Sequence, residues 1–393
     1  MNKKITIIIL LDALRCDYFD KSKSSFVSNL KNKSTTAELI PTFGFEPDGA
    51  FLSGVYPEKS NGGMHYWYSP ESSVFKWTKK YSNLFKKFPI SSQKYIRFFI
   101  RLINFLKESK KGKKYFSFPS KIPFEYLELF DPVHDKLFFE KDLFDDCPTI
   151  FDICRSEKVN WDFIGYPTYR STLDKGIYKI INSINKGNSF VFGFFGELDR
   201  IGHKFGPNSV EINNLISHID NSIQVLFNEL EKKYDFDFIL FGDHGMVQVN
   251  KHINIQSNLN KLNCKPGKDY YYFLDSTFAR FWFNNNDAKA EIYNLLESLD
   301  GGSIINQSLK DYYSINYPHN KFGDIIYWMN DGNIISPNFF QGSESIEGMH
   351  GYPDNVRDNN SFFMHYNSVS KTKKTLGRTS MVDIFKIIKN TIN

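Results

Sequence analysis

The chain has 393 residues, 17% of them aromatic, with 49 Lys and Arg against 44 Asp and Glu, a net charge of +5 and a pI near 8.7. That length supports a large α/β domain with insertions, the apolar content excludes a disordered chain, and so mild a charge gives no argument for a nucleic-acid partner. Cys16, Cys147, Cys154 and Cys264 form no C-x-x-C pair, so neither a disulfide framework nor a structural zinc site is indicated, and a reducing, cytoplasmic setting is the simpler expectation, with or without membrane association.

The first element is the apolar run Ile5 to Leu11. It follows Lys3 and Lys4 as a signal peptide would, but it is short, ends in Asp12, Arg15 and Asp17, and has no small-residue cleavage site. A buried strand is expected. Residues 71–145 break the strand and helix rhythm and predict a helical insertion. Within it, Lys94–Lys114 sets Ile96, Phe99, Ile100, Ile103 and Leu106 against eight Lys and Arg residues. A basic amphipathic helix of this type can lie on an anionic membrane, or it can bury its apolar face in a core.

Phe190 to Phe195 and Phe236 to Phe241 are continuous apolar runs, the pattern of parallel strands buried on both faces. Between them Ile212, Leu215, Ile216, Ile219, Ile223, Leu226 and Leu230 recur at helical spacing. Tyr270 to Phe283 predicts strand and Asp287 to Leu299 helix; a further strand lies near Asp324 to Met329, a loop over Gly351 to Asn360 and a closing helix over Met381 to Ile392. The expected organisation is an α/β fold with a mostly parallel central sheet flanked by helices. Its core is 1–259 and 341–393, with the insertion at about 71–145 and a smaller α+β cap at 260–340.

The chemistry-bearing residues gather where these strands end. Asp12 follows the first strand, although a helix-capping Asp would read the same way. The second apolar run leads into Asp199 and His203, four apart, so a turn of helix brings both side chains to one point. The third ends in Gly242-Asp243-His244-Gly245, and a late loop carries Gly348-Met349-His350-Gly351. Any one of these is weak. Together they supply three carboxylates and three imidazoles, enough for two cations ~3.5–4 Å apart that clamp both oxygens of a phosphoryl displacement. Mixed oxygen and nitrogen ligands suit zinc, manganese or iron better than magnesium or calcium, with zinc the first expectation and manganese next.

The order of these segments resembles the alkaline phosphatase superfamily, most closely its nucleotide pyrophosphatase/phosphodiesterase branch, and Ser53-Gly54-Val55-Tyr56-Pro57-Glu58 is similar to that branch's Thr-Gly-Xaa-Tyr-Pro-Glu string. The resemblance implies an alkaline phosphatase-like fold, one metal held by Asp199, His203 and His350, and a second held by Asp12, Asp243 and His244. It also implies a nucleophilic Thr or Ser at the start of the helix that precedes the Ser53–Glu58 string. Counting back from Ser53 puts Gly44 there, without a hydroxyl.

Thr42, two residues earlier, is the candidate to supply that hydroxyl, Glu46 could instead serve as a ligand or base, and a cation-activated water is the remaining option. The sulfatase string Cys-x-Pro-x-Arg is absent. Lys204 and Arg15 are near enough in sequence to touch phosphate, and aromatic residues in Tyr270 to Phe283 could stack on a base, although solvated charge and core are the commoner fates.

The expected activity is hydrolysis or transfer at a phosphodiester or pyrophosphate bond. Its partner would be a phosphate-ester small molecule or a glycan- or lipid-linked phosphodiester, with no nucleic acid and with peripheral membrane contact through Lys94–Lys114. The alternative is a non-catalytic or membrane-surface protein that keeps the metal site for binding.

Overall fold

The computed structural model describes residues 4–19, 26–109, 121–133, 136–144, 146–166 and 172–392. The chain divides into two units, one of Met1–Ser60, Phe139–Val249 and Ile346–Asn393, the other of Asn61–Phe138 and Asn250–Ser345.

The first unit is built on a seven-stranded sheet. Its strands are β1 (Lys4–Leu11), β2 (Thr35–Ile40), β3 (Trp161–Gly165), β4 (Phe190–Phe195), β5 (Asp235–Phe241), β6 (Ser361–Asn367) and β7 (Lys374–Ser380), in the order β7-β2-β6-β5-β1-β4-β3. Every neighbouring pair is parallel except those made by β6, which runs against both β2 and β5. The sheet is therefore mixed but mostly parallel, and this is the alkaline phosphatase-like α/β architecture.

The adjacent strands β5, β1 and β4 are buried almost end to end, which explains their unbroken apolar sequences. One face of β1 presents Ile5, Ile7, Ile9 and Leu11 to a core that includes Ile177 and Ile180 of α2 (Leu173–Asn185) and Ile219, Ile223 and Leu226 of α4 (Val210–Leu230). Each such side chain contributes roughly 1.5–3 kcal/mol by leaving water. Between α2 and α4 in sequence lies α3 (Glu197–Phe205), while α1 (Asp48–Ser53) and α5 (Met381–Lys389) pack on one another.

The register of the three central strands decides where the polar residues beyond them emerge. Leu10 pairs with Phe194 on one side and Phe241 on the other, so β1, β4 and β5 end level. The chain leaves all three along one edge of the sheet, the place where open α/β sheets bind ligands.

The second unit holds a four-stranded antiparallel sheet of Tyr270–Leu274, Phe278–Phe283, Ile325–Met329 and Gly302–Ile304, flanked by the helices Asn286–Ser298 and Gln307–Tyr313. The Tyr66–Tyr68 and Phe130–Pro132 ribbon belongs with it: Tyr68 stacks on Trp282 at 5.1 Å and Phe130 meets Phe273 edge-on at 4.8 Å. The division expected from sequence differs here. Residues 61–138 group with 250–345 instead of forming an insertion of the core, because their aromatic side chains complete that sheet's hydrophobic face.

Tyr270, Tyr272 and Phe273 are buried core residues, not a free stacking surface. The helix Ile90–Ser109 is present, whereas the basic residues Lys110–Lys114 fall outside the described residues. All four cysteines are free thiols. Among the described residues no helix is long and apolar enough to cross a membrane.

Candidate metal centre

Three local structures aim the site. Asp12 leaves β1 with its amide bonded to Phe195 O at 3.0 Å, which ties the ends of β1 and β4 together. Asp199 and His203 sit on α3, one turn apart, so both project from the same side of the helix. His350 is delivered by a two-residue strand, Gly348–Met349, paired antiparallel with Val247–Gln248 just beyond His244. A Cβ at Gly348 would lie 2.5 Å from Gly202 O, so only glycine lets this ribbon approach α3. The glycine flanking that histidine is thereby explained by packing.

His203 and His244 share one design. His203 Nδ1 lies 2.7 Å from Gly348 O and His244 Nδ1 lies 2.9 Å from Gly245 O. A backbone carbonyl can only accept, so each Nδ1 carries the proton and donates, and each Nε2 is turned to carboxylates. His203 Nε2 is 3.0 Å from Asp199 Oδ1; His244 Nε2 is 3.4 Å from Asp12 Oδ1 and 3.7 Å from Asp243 Oδ2. His350 Nε2 lies 3.8 Å from the same Asp199 oxygen, and its ring stacks on that of His244.

All six residues expected from sequence are thus gathered at one sheet edge. Ligand atoms of Asp199, His203 and His350 lie within 4.8 Å of one another, as do those of Asp12, Asp199 and His244. The second group shares Asp12 and His244 with the set implied by the resemblance and brings in Asp199, while Asp243 Oδ2 stays 3.7 Å from His244 Nε2. Asp243 Oδ1 is engaged by the amides of Ala13 at 3.1 Å and His244 at 2.9 Å, which fixes the turn after β5 to the turn after β1.

The electrostatics are those of a site short of positive charge. Burial, and next the charges of Asp243 and Asp199, hold the Asp12 carboxyl well above the ordinary range. Burial raises Asp243 as well, against the opposing pull of His244 and two amides. Burial would lower His203, but Asp199 outweighs it and raises the imidazole above its usual value, so a proton holds this pair together. Carboxylates and Nε2 atoms converging in this way fit a divalent cation, which would replace that proton.

Sequence reading passed over one more carboxylate. Asp48 opens α1, 7% exposed and without a hydrogen bond among the described residues, and burial followed by the negative charges of Glu46 and Asp243 pushes it well above the usual range. An Asp just after a proline looks like an ordinary helix-start residue, so nothing in the sequence separates it from one.

Of the two catalytic candidates, Glu46 is near Asp48, whereas Thr42 is half-buried and its hydroxyl has no hydrogen-bond partner among the described residues. Phe45, between them, sets its ring edge-on to His350 at 5.6 Å. Gly44 has φ of 99°, a backbone conformation that side-chain-bearing residues rarely adopt, so the missing hydroxyl goes with a turn built for glycine. Arg15 is buried, with its guanidinium bonded to Asp17, Asp358 and Asn208, and serves as a structural latch; Lys204 lies over the ring of Phe205.

The family model for type I phosphodiesterase/nucleotide pyrophosphatase matches residues 6–353. The chain belongs to that family. In fold it is similar to murine ectonucleotide pyrophosphatase/phosphodiesterase 5, an inactive variant in complex with AMP, with a TM-score of 0.70, 15% identity, and coverage of 100% of this chain and 95% of that one. Among curated proteins it is 35% identical over 66 residues to mouse ectonucleotide pyrophosphatase/phosphodiesterase family member 7, covering 16% of this chain and 15% of that protein. It is 25% identical over 222 residues to GPI ethanolamine phosphate transferase 2 of Debaryomyces hansenii, covering 52% of this chain and 24% of that one. The chain thus matches less than two thirds of the length of these curated relatives.

Proposed function

We propose that this protein is a metal-dependent hydrolase or transferase of phosphodiester or pyrophosphate bonds, working with two divalent cations, zinc or manganese. The observation that carries the proposal is the sharing of Asp199 between two ligand groups at one sheet edge. Asp199, His203 and His350 hold one cation, and Asp12, Asp243 and His244 the other, with Asp199 close enough to serve both. The bound cations supply charge neutralisation for the phosphoryl oxygens.

The protein's own side chains do the rest. The carbonyls of Gly348 and Gly245 lock His203 and His244 in the tautomer that presents Nε2, and Asp243 holds two turns of the site in register. Thr42 is the candidate for the attacking group and Glu46 for a ligand or base. The substrate is a nucleotide-like phosphate ester or a glycan- or lipid-linked phosphodiester, reached in a cytoplasmic setting with peripheral membrane contact along Lys94–Lys114.

A second reading, binding without turnover, is favoured by Gly44 alone. The two separate in one assay. Purified protein loaded with Zn²⁺ or Mn²⁺ is offered bis-p-nitrophenyl phosphate, p-nitrophenyl phosphate and nucleotide sugars. A metal-dependent rate that His203→Ala or Asp243→Asn abolishes supports the enzyme. No turnover at confirmed metal occupancy supports the binding role and removes the hydrolase.

A further inference from the structure

The helix Ile90–Ser109 sits in the second unit turned by part of a revolution from the phase its sequence suggests, with Ile100 buried and Ile96 and Ile103 half-buried on the inward side. Its inward face is formed by Arg97, Ile100 and Asn104, all buried: Arg97 lies over the ring of Phe124 at 4.4 Å, and Asn104 Oδ1 accepts from Trp77 Nε1 at 2.8 Å. Phe99 and Leu106, expected inside, are exposed.

Outward the helix presents Tyr95, Phe98, Phe99, Leu102, Phe105 and Leu106, all exposed large apolar side chains, with Phe99 at 60%. At 3.6 residues per turn, the spacing i, i+3, i+4, i+7, i+10 and i+11 lays them in one stripe roughly 120° wide. Isolated exposed apolar residues are ordinary; six on one helix face are a patch that marks a binding surface. Tyr81, Leu84 and Phe88, just upstream, are exposed as well.

The charge around this stripe is of one sign. From 76 to 107 the sequence holds seven Lys and two Arg and not one Asp or Glu. Three of those lysines are paired, Lys76 with Glu71, Lys79 with Glu128 and Lys86 with Glu125. Lys80, Lys87, Lys94, Arg101 and Lys107 are exposed, and on the helix itself Lys94 and Arg101 flank one edge of the apolar stripe while Lys107 flanks the other. An apolar stripe with cationic margins matches the layering of an anionic bilayer, in which acyl chains lie beneath negative headgroups. A protein partner would need to be both greasy and acidic over the length of the helix.

We infer that the helix Ile90–Ser109 lies in the plane of an anionic membrane, with Tyr95, Phe98, Phe99, Leu102, Phe105 and Leu106 dipped into the headgroup boundary and Lys94, Arg101 and Lys107 on its phosphates. This deepens the membrane-contact part of the proposed function and does not depend on hydrolysis.

The test is flotation of the full chain with vesicles of phosphatidylcholine alone or mixed with phosphatidylserine. Binding is expected to the mixed vesicles only and to weaken at high salt. It should fall about tenfold or more both in Phe98→Ser/Phe99→Ser and in Lys94→Glu/Arg101→Glu, as the loss of either of two membrane signals predicts. Unchanged circular dichroism and melting of both variants keep folding out of the result, since all four side chains are exposed. His203→Ala, which disables the metal centre, should bind vesicles like the parent, so a failed hydrolase leaves this inference standing. No flotation with mixed vesicles at low salt overturns it, and so does binding indifferent to both variants. A wild-type dimer that Phe98→Ser/Phe99→Ser splits, with no vesicle binding, would assign the face to a second copy of the chain instead.

Discussion

The imidazole of His244 lies face to face on that of His350, ring centres 3.6 Å apart and planes 6° from parallel. The two residues come from loops over a hundred positions apart, brought together by the paired Val247–Gln248 and Gly348–Met349 strands. Each falls in a ligand group with Asp199, whose carboxylate belongs to both.

Asp199 should therefore matter more to metal content than any single imidazole. In Asp199→Asn, elemental analysis after dialysis against limiting Zn²⁺ is expected to find both cations depleted, and turnover to fall by more than about 100-fold, beyond what outer ligand partners typically cost. His203→Ala should lose one cation and retain the other. Equal stoichiometry in the two variants would refute the sharing.

The cation-free protein should lose stability as pH rises. Asp12, Asp48 and Asp243 have carboxyls raised above the unfolded value of about 3.9, and His203 is raised above about 6.5. A group raised on folding stabilises fully below its unfolded pKa, and that contribution is lost as pH climbs through the folded one, so all four act in the same direction. Cations remove the penalty. The gain in melting temperature on adding Zn²⁺ or Mn²⁺ should be small near the unfolded carboxylate pKa and grow steadily toward neutrality, read by scanning fluorimetry across pH; a gain independent of pH would contradict the site.

The attacking group can be located by comparing three variants. If Thr42 attacks, Thr42→Ala should cost at least about 10³-fold in kcat while metal content stays unchanged, and Glu46→Gln should cost far less. The opposite order gives the larger role to Glu46, as a ligand or base. Gly44→Ser restores a hydroxyl at the family's position but imposes a left-handed backbone on a residue with a Cβ, at roughly 1–2 kcal/mol. Its melting temperature should fall whatever happens to its rate.

The second unit carries a buried ion pair whose loss should be costly. Arg280 and Asp275 have fully buried side chains, joined at 2.7 Å, and Arg280 also donates to Tyr66 O at 2.7 Å. Arg280→Met strands the Asp275 carboxylate among apolar neighbours and is expected to cost about 3–5 kcal/mol, measured by urea unfolding. Arg280→Met/Asp275→Leu should recover much of it.

How much the sequence disclosed was a matter of burial. β1, β4 and β5 are covered on both faces, so their apolar runs stood out, and with them the positions of Asp12, Asp199 and Asp243. β3 and β7 form the edges of the sheet; β7, Lys374–Ser380, is largely exposed and polar, so it carries no pattern to read. The helix Ile90–Ser109 was legible as a helix and only partly in phase: Ile96, Ile100 and Ile103 lie on its inward side, Phe99 and Leu106 outside. Ile96, Ile100 and Ile103 trace one apolar stripe and Phe98, Phe99 and Leu102 another, and periodicity alone does not say which stripe faces inward. Asp48 escaped because its distinction is three-dimensional: a carboxylate is ordinary at a helix start and unusual only when shut away from water beside two others.

The sheet order has a consequence for biosynthesis. β6 is next to last among the strands of its sheet yet stands between β2 and β5, so the strand that leads into Thr42 and Glu46 cannot join the half-sheet bearing Asp12 and Asp243 until Ser361–Asn367 has left the ribosome. Assembly of the centre thus waits until every other strand of the sheet except β7 has been made. A chain stopped short of that strand would hold nearly every reactive side chain and still expose two raw sheet edges, fit for aggregation and not for chemistry.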